Sequence, residues 1–178
     1  TVAKLKEFSR MKDERGARPI LPAAVVEKAV SLCHTQIRKT VKTFEVQVQP
    51  DLPEMVTDPD AVEQTLINLL INAAQAADKP DSRILLRVRQ GTSGEGLILE
   101  VEDNGCGMDD RTATRLFDPF FTTKEEGLGT GLGLYISKNL IEPVRGSIAV
   151  ESEIGRGTTF RVVLPDLKDH RGESRTTG

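Results

Sequence analysis

Val62, Leu66, Leu69, Leu70, Ala73 and Ala77 recur at steps of three and four along residues 59–77, a period that predicts an amphipathic helix. Asp58-Pro59 opens it with an acidic cap and then a proline at the first helical position, where a missing N–H is harmless. The helix is expected to stop before Lys79-Pro80-Asp81. Val25, Val26, Ala29, Val30, Leu32, Cys33 and Ile37 predict another helix over about 22–39. Further helices are expected at roughly 131–142, ending near Pro143, and, as a short piece, at 109–116. Phe44, Val46 and Val48 alternate with polar residues, which predicts a half-buried strand at 43–49; strands are also expected at 82–90, 97–102, 147–151 and 158–164, and 19–22 reads as a short extended piece. Val2, Leu5 and Phe8 or Met11 lie near helical spacing in residues 1–12, ahead of a linker, DERGAR.

Strand runs separated by helices suggest an α+β fold, a mixed sheet with its helices segregated to one face. The stretch from Asp103 to Gly131 is rich in glycine and turn residues, and long loops inside compact domains are usually functional lids. A chain of 178 residues supports one well-buried domain. The expected divisions are 1–17 as a helix end and linker, 18–165 as the domain, and 166–178 as a polar, disordered tail. No run of about 18 apolar residues is present to span a membrane. A net charge of −3 speaks against nucleic acid as the main partner. Cys33 and Cys106 stand in unrelated contexts, which fits a reducing cytoplasm, and the dispersed His and Cys define no transition-metal site.

Three segments carry candidate chemistry. Beside the apolar stripe of the 59–77 helix, Thr65, Asn68, Asn72 and Gln75 line a second face. Asparagine is a poor helix former, and its amide oxygen is a hard neutral ligand suited to Mg²⁺ that also holds phosphates and waters; capping or solvent exposure is the alternative. In EVEDNGCGM (100–108) a strand runs into Asp103, followed by Gly105 and Gly107. A carboxylate there can accept from an amino group such as that of adenine, although the same residues also suit an ordinary turn. LFDPFFTTK (116–124) places Phe117, Phe120 and Phe121 in a Gly- and Thr-rich loop, as anchors against a body or partner. Gly127, Gly129, Gly131 and Gly133 then alternate into a helix start, where backbone N–H groups favour anions, and Lys124 can add positive charge. The spacing is neither that of a Walker P-loop nor of a Rossmann fingerprint.

Together these pieces resemble the catalytic ATP-binding domain of histidine kinases, in the superfamily shared with gyrase, Hsp90 and MutL. The N, G1, F, G2 and G3 boxes are matched in order by NLLINAAQA (68–76), DNGCGM (103–108), FDPFF (117–121), GLGTGLGL (127–134) and GRGTTF (155–160). The resemblance covers about 18–165 and implies a two-layer α/β sandwich, a mixed β-sheet covered on one face by three helices. It implies an ATP site made of Asn68, Asn72, Asp103, Gly105, Gly107, Lys124, Gly127, Gly129, Thr130, Gly131, Leu132, Gly133 and Thr158. Asn72 would coordinate Mg²⁺, Asp103 would read the adenine amino group, Gly107 would admit adenine, Thr158 would support it, and the glycine loop would wrap the triphosphate.

Relatives that hydrolyse ATP carry Glu one turn before the metal-binding Asn, whereas this chain has Asn68, and an amide is no general base near neutral pH. That favours γ-phosphoryl transfer to a protein histidine. Gln75 stands where a basic residue is frequent, which resembles nitrogen-regulation-type sensor kinases. The family's phosphoacceptor lies on a dimerising helical hairpin. His34, in CHTQIRKT, lacks that motif's flanking residues, and His170 lies in the polar tail. LKEFSRMK resembles the end of the hairpin's second helix, so the acceptor is expected outside this chain. The implied partners are the hairpin of the same parent and a downstream response regulator. The chain alone is expected to be a monomer without membrane contact, and the parent a homodimer, cytoplasmic or membrane-anchored. A chaperone- or repair-type ATPase, an anti-sigma-type serine kinase and a catalytically degenerate nucleotide-sensing module are the alternatives.

Overall fold

The computed structural model describes residues 16–92, 96–123 and 130–168. The 1–12 segment and most of the tail, with His170, fall outside them, as do Lys124, Gly127 and Gly129. The elements in order are β1 (Arg18–Ile20), α1 (Pro22–Ile37), β2 (Thr43–Val48), β3 (Met55–Thr57), α2 (Pro59–Gln75), β4 (Arg83–Gln90), β5 (Leu97–Asp103), α3 (Asp110–Arg115), α4 (Gly133–Ile141), a 3₁₀ turn (Glu142–Val144), β6 (Ser147–Glu153) and β7 (Gly157–Leu164).

The main sheet runs β2-β4-β5-β7-β6, with β2 parallel to β4 and the other neighbours antiparallel. Its register explains its two faces. Leu86 pairs with Val101 and Val88 with Leu99, and these in turn pair with Phe160 and Val162. All six are buried and form one core with Leu66, Leu69 and Leu70 of α2. Each such side chain removed from water contributes about 1.5–3 kcal/mol. The alternate positions emerge on the opposite face. Arg87 reaches Glu102 at 2.8 Å and Arg89 reaches Glu100 at 3.5 Å, as suits a sheet face that no helix among the described residues covers.

Helix α2 begins as the sequence dictates: the Asp58 carboxylate accepts from the N–H groups of Asp60 and Ala61, at 3.0 and 3.2 Å, with Pro59 in the first turn. It packs between α1 and α4, which makes it the central helix of its layer. One strand escapes the alternation rule. Met55–Thr57 is buried at all three positions and pairs antiparallel with Arg18–Ile20, so it offers no period of two to read. Residues 166–168, assigned to the tail by composition, are tied to that ribbon. The Asp166 carboxylate accepts from the Val56 N–H at 2.9 Å, and the Leu167 N–H bonds the Val56 carbonyl at 3.0 Å. Helix α4 starts two residues later than its glycines suggest, because Gly131 holds φ +62°, a left-handed conformation that cannot extend a helix.

Candidate functional site

The two asparagines of α2 have different fates. The Asn68 amide is fully engaged across the helix layer. Its nitrogen donates to the Gly133 carbonyl at 3.0 Å and to Ser137 Oγ at 3.1 Å, and its oxygen accepts from Gln64 at 3.1 Å. Asn72, one turn on, is half-buried and bonds no described residue through its side chain, although it lines the same cavity. Asn68 therefore staples α2 to α4, while Asn72 presents an unused amide. Removing the staple in Asn68→Ala is expected to lower unfolding stability by about 1–3 kcal/mol in urea titration. Its effect on nucleotide affinity should be smaller than that of the same change at Asn72.

The β5 end supplies the carboxylate. Asp103 is only 7% exposed, and its Oδ1 accepts the Gly105 N–H at 2.8 Å. Burial pushes its pKa above the ordinary carboxylate value, against the opposing pull of backbone hydrogen bonds from Gly105 and Thr158 and of the Lys79 charge. Thr158 pairs with Asp103 across the strands, and its hydroxyl lies 2.9 Å from Ser152 Oγ. Ser152 Oγ also accepts the Met108 N–H at 2.8 Å, which fixes the turn after Asp103 to the β6–β7 hairpin. Gly107 holds φ +66°, and a Cβ there would run into the Glu153 carbonyl. Glycine at 107 is thus already demanded by the packing of turn on hairpin.

The opposite end of the cavity is the start of α4. Leu132 is buried beneath it, whereas Thr130, Gly131 and Gly133 face the cavity. The first N–H groups of a helix have no intrahelical acceptor, so this edge suits an anion. Gly131 is packed so closely that a Cβ would strike the Phe120 backbone, and the Gly131 carbonyl accepts the Phe120 N–H at 3.0 Å. That contact holds Phe120 itself at φ +65°, with 59% of the residue exposed. The three loop aromatics differ accordingly. Phe117 packs on the core, Phe121 lies 4.6 Å from the Arg115 guanidinium, and Phe120 points outward.

These ends enclose a cavity of about 700 Å³, with Ile67, Ile71, Met108, Leu134 and Phe160 among its apolar walls. Asn68, Asn72, Asp103, Gly107, Thr130, Gly131, Gly133 and Thr158 all line it, and Gly105 stands behind Asp103. His34 is exposed on α1, accepts from Arg38 Nε at 3.2 Å, and does not line the cavity. Among the described residues no cluster of His, Cys, Asp and Glu forms a metal site. A hydrated divalent ion carried by phosphates needs no such cluster; a single amide oxygen such as that of Asn72 suffices alongside it. Spacing did not reveal Lys79, which caps the turn below Asp103, or the apolar walls, whose helical period is that of any buried face.

A family model described as histidine kinase-, DNA gyrase B-, and HSP90-like ATPase matches residues 57–168. The signal transduction histidine-protein kinase AtoS of Escherichia coli (strain K12) is 36% identical over 164 residues, 92% of this chain and 26% of that protein. The sensor histidine kinase ZraS of the same strain is 41% identical over 114 residues, 64% of this chain and 23% of that protein. The chain thus spans about a quarter of the length of these relatives. Among solved structures, the mycobacterial sensor histidine kinase MprB superposes with a TM-score of 0.72 at 26% identity, covering 85% of this chain and 98% of that one. A nucleotide-free catalytic domain of histidine kinase ThkA gives 0.73 at 27% identity, over 85% and 96%.

Proposed function

The chain belongs to the family of histidine kinase-, DNA gyrase B-, and HSP90-like ATPases, and from that membership we propose that it binds Mg-ATP and passes the γ-phosphoryl group to a histidine on a helical hairpin of the same parent protein. The single observation that carries this reading is one cavity with the free Asn72 amide beside the α4 start and the buried Asp103 carboxylate at the β5 end. Adenine is read at Asp103 through its exocyclic amino group, and the phosphates lie toward the α4 N–H groups. The apolar walls between them, Ile71, Met108 and Phe160, suit a flat base and exclude water. Asn72 Oδ1 would hold Mg²⁺, which when bound neutralises charge on the phosphate oxygens.

The rest of the chemistry is positioning. An imidazole on the docked hairpin attacks phosphorus in line, the bond to the ADP oxygen breaks, and the developing charge meets the N–H groups at the α4 start. Among the described residues, the position one turn before Asn72 offers attacking water no base, since Asn68 is an amide whose polar atoms are all bonded to protein. The exposed, conformationally constrained Phe120 offers the hairpin an apolar contact beside the site. A response regulator would then take the phosphoryl group, and the hairpin would make the parent a dimer.

The test is a mixture of this chain, Mg-ATP labelled at the γ-phosphate and a hairpin fragment bearing its acceptor histidine. Phosphate that is stable in base and labile in acid is expected on the hairpin, with negligible ATP turnover by the chain alone. Acid-stable phosphate would assign a serine kinase instead, and brisk hydrolysis without the hairpin would place the chain among the mechanical ATPases.

A further inference from the structure

We infer that Lys79 is a positioning residue for the base end of the nucleotide, locking together the two turns that flank Asp103 and Thr158. The inference rests on the reading of the cavity as an ATP site. Lys79 follows α2 in the short segment Asp78-Lys79-Pro80, and its ammonium bonds three backbone carbonyls. These are Asn104 at 2.6 Å and Gly105 at 3.3 Å in the turn after β5, and Gly155 at 2.7 Å in the β6–β7 turn. An ammonium has three donors, so its hydrogen-bonding capacity is fully used. No carboxylate pairs with it among the described residues.

The consequence runs through Gly105. Its carbonyl is held by Lys79, while its N–H is donated to Asp103 Oδ1 at 2.8 Å. One peptide segment is thereby gripped from both sides, and the carboxylate is aimed by the grip. Thr158 lies just beyond the other turn that Lys79 holds, through Gly155. A second set of bonds closes the same knot without Lys79. The Cys106 N–H reaches the Ala76 carbonyl at 3.1 Å, and the Gly155 N–H reaches the Cys106 carbonyl at 2.7 Å. Those bonds retain the turns when the ammonium is removed, so loss of Lys79 loosens the aim of Asp103 rather than dissolving the site. A carboxylate has about four acceptor positions, and the Gly105 N–H occupies one, which leaves lone pairs for an amino group.

The experiment compares AMP, ADP and ATP, by displacement of a fluorescent ATP analogue, on the parent chain and on Lys79→Met. Expected is a loss of about tenfold or more that is the same for all three nucleotides, because the defect lies at the base. Lys79→Arg, which keeps the charge and several donors, should recover part of it. A Lys79→Met affinity within twofold of the parent overturns the inference and leaves Lys79 a stabilising contact only. A loss that grows from AMP to ATP overturns it too, by assigning Lys79 to the phosphates. If Lys79→Met does not fold, Lys79→Gln takes its place; failure of both to fold assigns the residue to the fold and ends the proposal. Absence of ATP binding by the parent would refute the nucleotide reading itself, a separate outcome.

Discussion

Asn72→Ala is expected to abolish the magnesium-dependent part of ATP binding while leaving the empty domain as stable as the parent or slightly more so. The two halves of that result come from one observation: the Asn72 amide bonds no described residue. Removing it forfeits no internal hydrogen bond, and alanine is the better helix former by about 0.5 kcal/mol at an interior position. With ligand present the balance reverses. Loss of a group that supports a bound metal typically weakens affinity by about 10–100-fold. The readout is thermal or urea stability with and without Mg-ATP. At a ligand concentration a hundredfold above the parent's Kd, the parent gains roughly 2.7 kcal/mol. A variant weakened a hundredfold gains only about 0.4 kcal/mol under the same conditions. Metal-free ATP is the control, since chelation of Mg²⁺ should narrow the gap between parent and variant. If Asn72→Ala gains as much stability from Mg-ATP as the parent does, the amide has no role at the metal. Asn68→Ala should show the opposite pattern, with a weaker empty fold and a smaller change in affinity, because its amide is committed to Gly133 and Ser137.

That contrast marks the limit of what the sequence reveals. Two asparagines one turn apart on an apolar helix suggest that amides are used, but not which one the fold itself engages. The answer depends on α4, whose start is fixed more than sixty residues later by the left-handed Gly131. The five main strands were legible as β-branched and apolar runs between turn residues, and α1, α2 and α4 because each buries one face and so writes a helical period. Met55–Thr57 buries every position and writes none. Asp103 and Thr158 were legible as box residues, yet their direct pairing is a fact of register between β5 and β7. Lys79 was illegible for a physical reason: its partners are backbone carbonyls, which every residue possesses, so no residue type marks them in advance. Gly107 fits its box for a reason that spacing could not supply, the approach of the Glu153 carbonyl.

Asp103→Asn is expected to weaken ATP binding about a hundredfold or more, and to change the pH dependence of the empty fold in a definite direction. The substituted amide can still accept the Gly105 N–H through its oxygen, so the turn keeps its bond. Its NH₂ group then occupies acceptor space, and donor meets donor at the adenine amino group. A site built to hydrogen-bond a ligand group penalises such a mismatch heavily, because buried polar atoms on both sides lose their partners. The pH argument follows from burial. Asp103 has a raised pKa in the fold, chiefly because burial disfavours its charge, and backbone N–H groups and Lys79 offset only part of that. The folded state therefore keeps this proton to higher pH than the unfolded chain does, so stability falls as pH rises from the ordinary carboxylate pKa through the raised one. Asp103→Asn cannot titrate, and its stability relative to the parent should improve across that window and level off above it. ATP, which prefers the ionised acceptor, should bind the parent less well as pH drops through the raised pKa, with proton release on binding there. Urea titrations of both proteins across the acid range, with calorimetry in two buffers of different ionisation enthalpy, measure both effects. Near-parental affinity in Asp103→Asn would remove Asp103 from adenine recognition and leave the β5 end of the cavity without a reader, whereas a flat stability difference would show that burial does not raise its pKa.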